Sequence, residues 1–209
     1  MLGERVLPPG YPAEWEADIV LADGSVAHLR PITPDDAGAI RTFHAEQSPE
    51  SIYLRFFVPM RAPSDELVER TTVVDYKDHV VLVMTVRNKP IGFARLDRLD
   101  GESAEVAFNV ADAHHGKGIG SILLEHLAAI GLELGVARFV ADVLPENRKM
   151  LGVFQTAGYA VHSGHEHGYI SVSFEISPTA KSRAVQQARE HRAEALSVRR
   201  ILTPRSVAV

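Results

Sequence analysis

The first quarter of the chain changes from a strand-like to a helix-like pattern. Residues 17–21 and 25–30 alternate apolar and polar positions around Asp23-Gly24, a pair that supplies the positive φ of a tight hairpin turn. Helix-compatible segments follow, and a capping hydroxyl precedes each. The three capping residues are Thr33, Ser48 and Ser64. The pattern therefore predicts a β-hairpin and then three short helices.

The centre of the chain predicts antiparallel strands and a long helix. Residues 79–86, 90–98 and 103–110 are apolar, β-branched runs separated by short polar turns. From residue 118 to about 134 the spacing becomes helical, and Gly135 ends the segment as a C-cap. The residues on the apolar face of this helix are Ile119, Ile122, Leu123, Leu127 and Ile130.

The remaining segments alternate between the two periods. We predict a strand at 138–144, a helix at 147–157 that ends at Gly158, and a final hairpin of residues 159–163 and 169–176. Residues 180–196 form a further helical pattern. The order β, helices, βββ, α, β, α, ββ predicts one mixed α/β or α+β domain rather than a series of βαβ units.

Composition excludes several kinds of site. The 209 residues include no cysteine, which excludes disulfides, thiolate metal sites and a cysteine nucleophile. The longest apolar run, at residues 80–84, is too short to span a membrane. The N-terminus has no apolar signal segment, so we expect a cytoplasmic protein.

Charge is distributed unevenly along the chain. Residues 177–209 contain seven basic and two acidic residues, a net charge of +5, while the remainder contains 15 basic and 25 acidic residues, a net charge of −10. An acidic body argues against a nucleic-acid-binding protein. We interpret the basic tail as a solvated helix or linker.

One glycine-rich segment indicates chemistry. The strand that ends at Val110 leads into a turn with glycines at 116, 118 and 120, and then into the long helix. Backbone N–H groups in such a turn converge with the positive helix end on an anion. The spacing fits neither the nucleotide P-loop nor the dinucleotide fingerprint. A ligand-free helix entrance is the alternative, but the strand–loop–helix context favours a phosphate-bearing ligand.

The segment resembles a motif of the GCN5-related N-acetyltransferases (GNATs). That motif, Gln/Arg-x-x-Gly-x-Gly/Ala, corresponds here to residues 115–120, where His115 replaces the usual Gln or Arg. Residues 145–150 and 157–159 match a second segment of the family, and the resemblance covers residues 17–176. It implies a GNAT fold, a mixed and mostly antiparallel sheet in which the parallel strands 103–110 and 138–144 splay apart.

The resemblance also implies the ligand and its contacts. Acetyl-CoA would lie between the splayed strands as the acyl donor, with the backbone of β-strand residues pairing with the pantetheine arm and the loop holding the pyrophosphate. The cofactor-binding residues implied in this way are Phe108, Asn109, Val110, His115, Gly116, Lys117, Gly118, Ile119, Gly120, Ser121, Asn147 and Phe154.

The strand sequence Ala-Glu-Val-Ala-Phe is similar to that of bacterial protein lysine acetyltransferases of the Pat type. These proteins join the acetyltransferase domain to a domain that resembles NDP-forming acyl-CoA synthetases, and residues 202–209 resemble the opening strand of that second domain. We therefore expect an N-terminal extension (1–16), a GNAT domain (17–176) and a basic helical linker with a truncated second domain (177–209). The implied protein substrate is an AMP-forming acyl-CoA synthetase.

The proposed chemistry requires a general base, because a lysine amine has a pKa of about 10.4 and is largely protonated at neutral pH. Glu105 is our candidate, and a solvated strand residue is the alternative interpretation. By family analogy the Val110 N–H would polarise the thioester carbonyl. Phe154 occupies the position of the usual tyrosine acid, so we assign no general acid. Without cysteine, we expect direct attack in a ternary complex.

Other polar and aromatic residues give weaker indications. The hairpin histidines His162, His165 and His167 could converge on a metal, but turn histidines are usually solvated, so we predict no metal site. The aromatic residues Tyr53, Phe56 and Phe57 suit the core or the wall of an acceptor groove. Two further functions remain open: a small-molecule amine N-acetyltransferase and a non-catalytic acyl-CoA sensor.

Overall fold

A computed structural model of the chain describes residues 7–166 and 168–202, with side chains of 7–165 and 168–191. These residues form one eight-stranded sheet with helices on both faces. The strands are β1 (Ala17–Val20), β2 (Val26–Pro31), β3 (His79–Val86), β4 (Lys89–Asp100), β5 (Ser103–Val110), β6 (Arg138–Val143), β7 (His162–Glu166) and β8 (Tyr169–Glu175). The helices are α1 (Ala37–Ala45), α2 (Pro49–Phe56), α3 (Asp65–Thr72), α4 (Ile119–Glu133), α5 (Arg148–Thr156) and α6 (Ala180–Leu202).

The sheet contains one parallel pair, and that pair separates. In the order β1-β2-β3-β4-β5-β6-β8-β7, only β5 and β6 run parallel, and they pair only from Ser103↔Arg138 to Glu105↔Val140. Beyond this point β5 continues against β4 alone as far as Val110, while β6 continues against β8. The mixed sheet and its splayed parallel strands confirm the predicted fold.

The two faces of the sheet are packed differently. On one face, α4 and α5 cover a large core that includes Leu123, Phe139 and Phe154. On the other face, α1 covers a small cluster that includes Ile40, Phe43 and neighbouring strand residues. Alternation along each strand sets this division, since successive side chains point to opposite faces.

Local capping residues explain where the first helices begin. The side chains of Ser48 and Ser64 accept the N–H of Ser51 and Leu67 at 3.2 and 3.1 Å, which satisfies donors that the first helical turn leaves free. At Thr33 the predicted start is correct, but the first turn, Pro34–Asp36, is a 3-10 helix before α1 begins.

The predicted strand at 159–163 is wrong in its start. The strand β7 begins only at His162 because Gly158 turns the chain with a φ of +87° and the Tyr159 ring stacks on Phe174, 5.3 Å between centroids. A Cβ on Gly158 would lie 2.6 Å from the backbone nitrogen of Ser182, so this glycine also allows α6 to approach. Tyr159 therefore serves the core rather than the hairpin.

The final helix extends further than predicted, to Leu202, and Arg189 forms an ion pair with Glu125 of α4. The strand expected within 206–209 lies outside the described residues, as do residues 1–6 of the expected N-terminal extension. Among the helices of the described chain, none combines the length and the apolar character that crossing a bilayer requires.

Candidate active site

A cavity of about 840 Å³ opens where β5 and β6 separate. Its walls come from the end of β5, the following loop, the first turn of α4, the start of α5 and one side of α2. The lining includes ten predicted residues, namely Phe108, Asn109, Val110, His115, Gly116, Gly118, Ile119, Gly120, Ser121 and Asn147. Most of the predicted cofactor residues therefore surround one cavity.

The glycine loop presents its backbone to this cavity. Gly116 and Gly118 have φ values of +76° and +79°, a region that favours glycine, and no heavy atom lies within 4 Å of an added Cβ at either position. Gly118 is the N-cap of the 15-residue helix α4, whose first N–H groups have no partner within the helix. Open space, free donors and the positive helix end together suit a pyrophosphate.

The backbone of β5 faces the splay at alternate residues. Ala111 donates its N–H to β4, at 2.9 Å from the carbonyl oxygen of Ile91. Because bonding directions alternate along an antiparallel strand, the N–H and C=O of Phe108 and Val110 point away from β4. Glu102 is an even number of residues from Phe108 and Val110, so its carbonyl also points away from β4, and it accepts an N–H from β6. The sheet-like donors and acceptors that a pantetheine amide needs are thus directed into the opening.

His115 connects the loop to both sides of the cavity. Its Nε2 lies 2.9 Å from the Val110 carbonyl oxygen, and its Nδ1 lies 3.1 Å from the Lys149 Nζ of α5. A carbonyl only accepts, so Nε2 carries the proton and Nδ1 accepts from the lysine ammonium. The residue that departs from the family pattern therefore joins β5 to α5.

Asp112 fixes the loop to the opposite helix. Its carboxylate accepts the Ser48 N–H at 2.7 Å and the Ser51 hydroxyl at 2.5 Å. Burial alone would raise the pKa of Asp112, but these hydrogen bonds outweigh it and hold the pKa below its usual range. The loop and the N-terminus of α2 are consequently held together.

Two of the predicted cofactor residues lie outside the cavity lining, as does the predicted catalytic residue Glu105. The Phe154 side chain is fully buried and packs edge-on against Phe108, with 5.9 Å between ring centroids. The Lys117 Nζ turns away to Asp23, 3.2 Å from its carboxylate in the β1–β2 turn. Phe154 therefore supports the wall from behind, and the Lys117 side chain is directed away from the cavity.

Glu105 lies on the face of the sheet opposite to the larger core. Its side chain is 47% exposed, and its Oε1 is 3.3 Å from the Arg95 Nη2. Arg95 in turn places Nε 2.5 Å from the Asp97 Oδ2, in an ion pair whose angle is too bent for a hydrogen bond. Glu105 thus has a cationic partner, which the sequence did not indicate.

The same charged cluster includes His79. Its Nδ1 is 2.5 Å from the Asp97 Oδ1 and its Nε2 is 2.6 Å from the Arg70 carbonyl oxygen, so both ring nitrogens face acceptors. Burial alone would lower the pKa of His79, but the hydrogen bond to Asp97 and that to Arg70 raise it. A protonated imidazole is the species that satisfies both acceptors.

Arg55 of α2 lines the cavity and interacts electrostatically with Arg95, Glu105 and Asp97. Its Nε is buried without a hydrogen-bond partner. Burial, followed by the charge of Arg95, lowers the pKa of Arg55 to about 10, so the guanidinium remains a cation near neutral pH. Arg55 is the side chain that links the cavity to the charged cluster around Glu105.

Sequence reasoning missed several lining residues. On α5 these are Arg148, Lys149, Met150, Gly152, Val153 and Thr156, and on α2 and the adjoining loop they are Ser48, Glu50, Ser51 and Leu54. Helical periodicity would have placed Met150 and Val153 on one face with Asn147, but the capping role of Ser48 concealed its position at the cavity. Within the described residues no three His, Asp or Glu side chains form a metal-binding group, and His167 lies outside them.

Comparison with known proteins gives consistent matches. Residues 45–159 match the model of the acetyltransferase (GNAT) family. The chain is 36% identical over 160 residues to acetyltransferase Pat of Mycolicibacterium smegmatis. The aligned region covers 74% of this chain and 47% of that protein. It therefore spans about half the length of that relative.

Solved structures agree with these sequence matches. The crystal structure of the GNAT domain of S. lividans PAT is 45% identical, with a TM-score of 0.76, and the match covers 79% of this chain and 99% of that one. A cAMP-binding acyltransferase from Mycobacterium smegmatis is 29% identical, with a TM-score of 0.57, and the match covers 91% of this chain and 58% of that one.

Proposed function

Because the chain belongs to the acetyltransferase (GNAT) family, we propose that it transfers the acetyl group of acetyl-CoA to the Nε amine of a lysine in a protein substrate. One observation carries this proposal: the cavity between β5 and β6 has a glycine loop at one end and Arg55 at the other, and Arg55 interacts electrostatically with the charged cluster around Glu105, which lies outside the lining. A phosphate-bearing donor and an amine acceptor can meet there.

The donor is held mainly by backbone groups. The loop and the first turn of α4 bind the pyrophosphate, and the outward N–H and C=O groups of Phe108 and the outward C=O group of Val110 pair with the pantetheine amides. Met150 and Val153 of α5 supply the apolar wall opposite β5. Asn147 caps α5 by accepting the Met150 N–H at 3.1 Å, which fixes the position of that wall.

Glu105 accepts the proton of the acceptor amine through a chain of water molecules. Glu105 and Val110 are five positions apart on an extended strand, a distance of about 16 Å between Cα atoms. Glu105 is therefore too far from the acyl position to contact the amine directly, but its carboxylate is half-exposed and open to solvent. Arg95 keeps the carboxylate in place without closing it off.

The acetyl group passes directly from the donor sulfur to the amine nitrogen. The Val110 N–H points into the opening and stabilises the negative charge that develops on the thioester oxygen. The thiolate leaves without a side-chain acid, since Phe154 stands where relatives have a tyrosine and a thiol of pKa about 8.5 is a competent leaving group. The absence of cysteine from the chain excludes an acetyl-cysteine route.

The Pat-like relatives and the residues after the sheet support this substrate class. Two of the most similar proteins are Pat acetyltransferases, and the chain spans about half the length of one of them. We propose that residues 17–176 form the catalytic domain and that residues 177–209 lead into a synthetase-like domain. The proposed substrate is an AMP-forming acyl-CoA synthetase, acetylated on a lysine.

A single labelling experiment tests this function. The chain is incubated with radiolabelled acetyl-CoA, a panel of AMP-forming acyl-CoA synthetases, and a set of small primary amines. Label on a synthetase lysine, located by mass spectrometry, supports the proposal. Label on small amines alone would assign the chain to small-molecule acetylation, and tight donor binding without any transfer would assign it to acyl-CoA sensing.

A further inference from the structure

An aromatic pair crosses the open part of the wedge on the Glu105 side of the sheet. The rings of Phe57 and Tyr169 are stacked with 6.4 Å between centroids and 28° between planes. Phe57 is the C-cap of α2, which packs over β5, and Tyr169 begins β8, which pairs with β6. The stack therefore joins the two sides of the splay.

Strand parity places Tyr169 on the same face as Glu105. Val172 and Phe174 of β8 belong to the larger core, so Tyr169 points to the opposite face. Glu105 and Ser173 pair with the same residue of β6, so they lie in one row across the sheet. Tyr169 is four residues from Ser173, or about 13 Å along β8. This places the ring pair level with the last residues of β5, where the acyl group of the donor is expected.

The backbone at Phe57 is in a conformation that a phenylalanine rarely adopts. Its φ is +63°, in the left-handed region that glycine occupies at most helix ends. The Phe57 N–H donates to the Tyr53 carbonyl oxygen at 2.8 Å, so the helix end itself requires only this backbone turn. An aromatic residue in a strained conformation that glycine would adopt freely indicates that the side chain, and not the backbone turn, has a function.

We propose that Phe57 and Tyr169 form the acceptor subsite, and that the unbranched methylene chain of a lysine packs against this pair of rings. This inference rests on the proposed function and adds the residues that hold its acceptor, a primary ammonium at the end of an extended alkyl chain. The rings bury the methylenes and attract the ammonium through their faces. Asp142 shares this face of the sheet, which favours a cation further.

The ring of Phe57 can be removed without strain by the substitution Phe57→Gly. Glycine adopts the left-handed turn freely, so we expect Tm to rise by about 2–4 °C. The acceptor subsite nevertheless loses one wall, so we expect KM for the acceptor to rise and Kd for acetyl-CoA to stay the same. If the Phe57 ring does not contact the acceptor, the more stable variant should instead show equal or higher activity, with no rise in the KM for the acceptor.

The probe is a series of primary n-alkylamines from propylamine to hexylamine, together with Nα-acetyl-lysine amide. For the wild-type chain we expect kcat/KM to rise by about two- to fourfold for each added methylene. In F57G we expect kcat/KM to depend less on the length of the alkyl chain. Tyr169→Phe should retain more of this chain-length dependence than Tyr169→Leu. Tyr53→Leu, which removes an exposed aromatic ring one turn earlier on α2, is the matched control.

Two negative outcomes are distinguishable. Equal chain-length dependence in the wild-type chain and F57G would overturn the subsite and leave the acetyltransferase function intact. A wild-type chain that acetylates neither the alkylamines, nor the lysine amide, nor any synthetase would refute the proposed function and the subsite together.

Discussion

The two faces of the splayed sheet differ in how they use polar groups. The face under α4 and α5 is an almost continuous apolar core, and its ligand-binding groups are backbone amides at the end of β5 and in the glycine loop. The face under α1, α2 and α3 has a smaller apolar cluster beside charged side chains such as Arg95, Asp97 and His79.

This difference separates two tasks. Backbone amides on a rigid core suit a donor whose pyrophosphate and amides are the same in every reaction cycle. Charged and aromatic side chains on the other face suit proton removal and selection of the acceptor. The two tasks meet only where β5 and β6 separate, and Arg55 is the residue that reaches from one to the other. Substitutions should therefore affect one task at a time.

The largest effect is expected for Glu105→Gln. The amide cannot take up the proton of the amine, so we expect kcat to fall by about 10²–10⁴-fold while the Kd for acetyl-CoA is unchanged. Steady-state kinetics and calorimetric titration measure the two quantities. Glu175→Gln is the control, because it breaks another exposed carboxylate–arginine pair on the sheet, at 2.9 Å, away from the cavity. Full activity of the Glu105 variant would show that the acceptor face supplies no base.

The second effect is the acid sensitivity that a buried histidine gives to the face under α1. Burial, followed by the charge of Arg55, lowers the pKa of His44 to about 4. Because the folded pKa lies below that of the unfolded chain, this stabilisation is complete above about pH 6.5 and is lost as the pH falls through 4, a change of about 3 kcal/mol.

His44→Leu should remove that part of the acid sensitivity, because leucine has no proton to gain on unfolding. The measurement is the free energy of unfolding by urea at pH 7 and at pH 4, for the variant and the wild-type chain. An identical loss in both proteins would mean that His44 is not held neutral in the fold.

A smaller effect is expected for the donor face in Gly118→Val. The left-handed turn costs a β-branched residue about 1–2 kcal/mol, and the loop amides shift, so acetyl-CoA should bind about tenfold more weakly. Gly135→Val is matched for strain, since Gly135 also has a φ of +79° but lies at the far end of α4. Equal loss of affinity in both variants would show that the effect comes from stability alone.

The smallest effect is expected for Lys149→Met. The ammonium that donates to the His115 Nδ1 is exposed, so its loss should weaken acetyl-CoA binding by only about two- to threefold. The difference should shrink at high salt, which screens the remaining attraction. Calorimetric titration at two ionic strengths measures this, and a loss of a hundredfold would show that Lys149 carries the donor phosphates directly.

Most of the fold could be predicted because its signals are local. The capping residues Ser48 and Ser64 and the strand 103–110 were predicted at their observed positions. The start of β7 was not, because Tyr159 suits a strand by its propensity and is drawn into the core by a ring on another strand, Phe174. Local preference cannot report such a contact.

The candidate site divides in the same way. The donor residues of β5, the loop and α4 follow one another along the chain, since a strand, a loop and a helix N-terminus are continuous. The acceptor side is assembled from β4, β5, α2 and β8, so neither the partnership of Glu105 with Arg95 nor the stack of Phe57 on Tyr169 has a sequence signature. Phe154 illustrates the limit, because its helical position was predictable and its distance from the cavity was not.

Donor binding and proton removal on opposite faces can be separated most directly by single-turnover acetyl transfer at saturating acetyl-CoA, with the same lysine acceptor for every variant. Gly118→Val should reach the wild-type rate once the donor is saturating, whereas Glu105→Gln should remain about 10²–10⁴-fold slower at any donor concentration. A Gly118 variant that stays slow at saturation, beside a Glu105 variant that recovers, would contradict the assignment of the two faces.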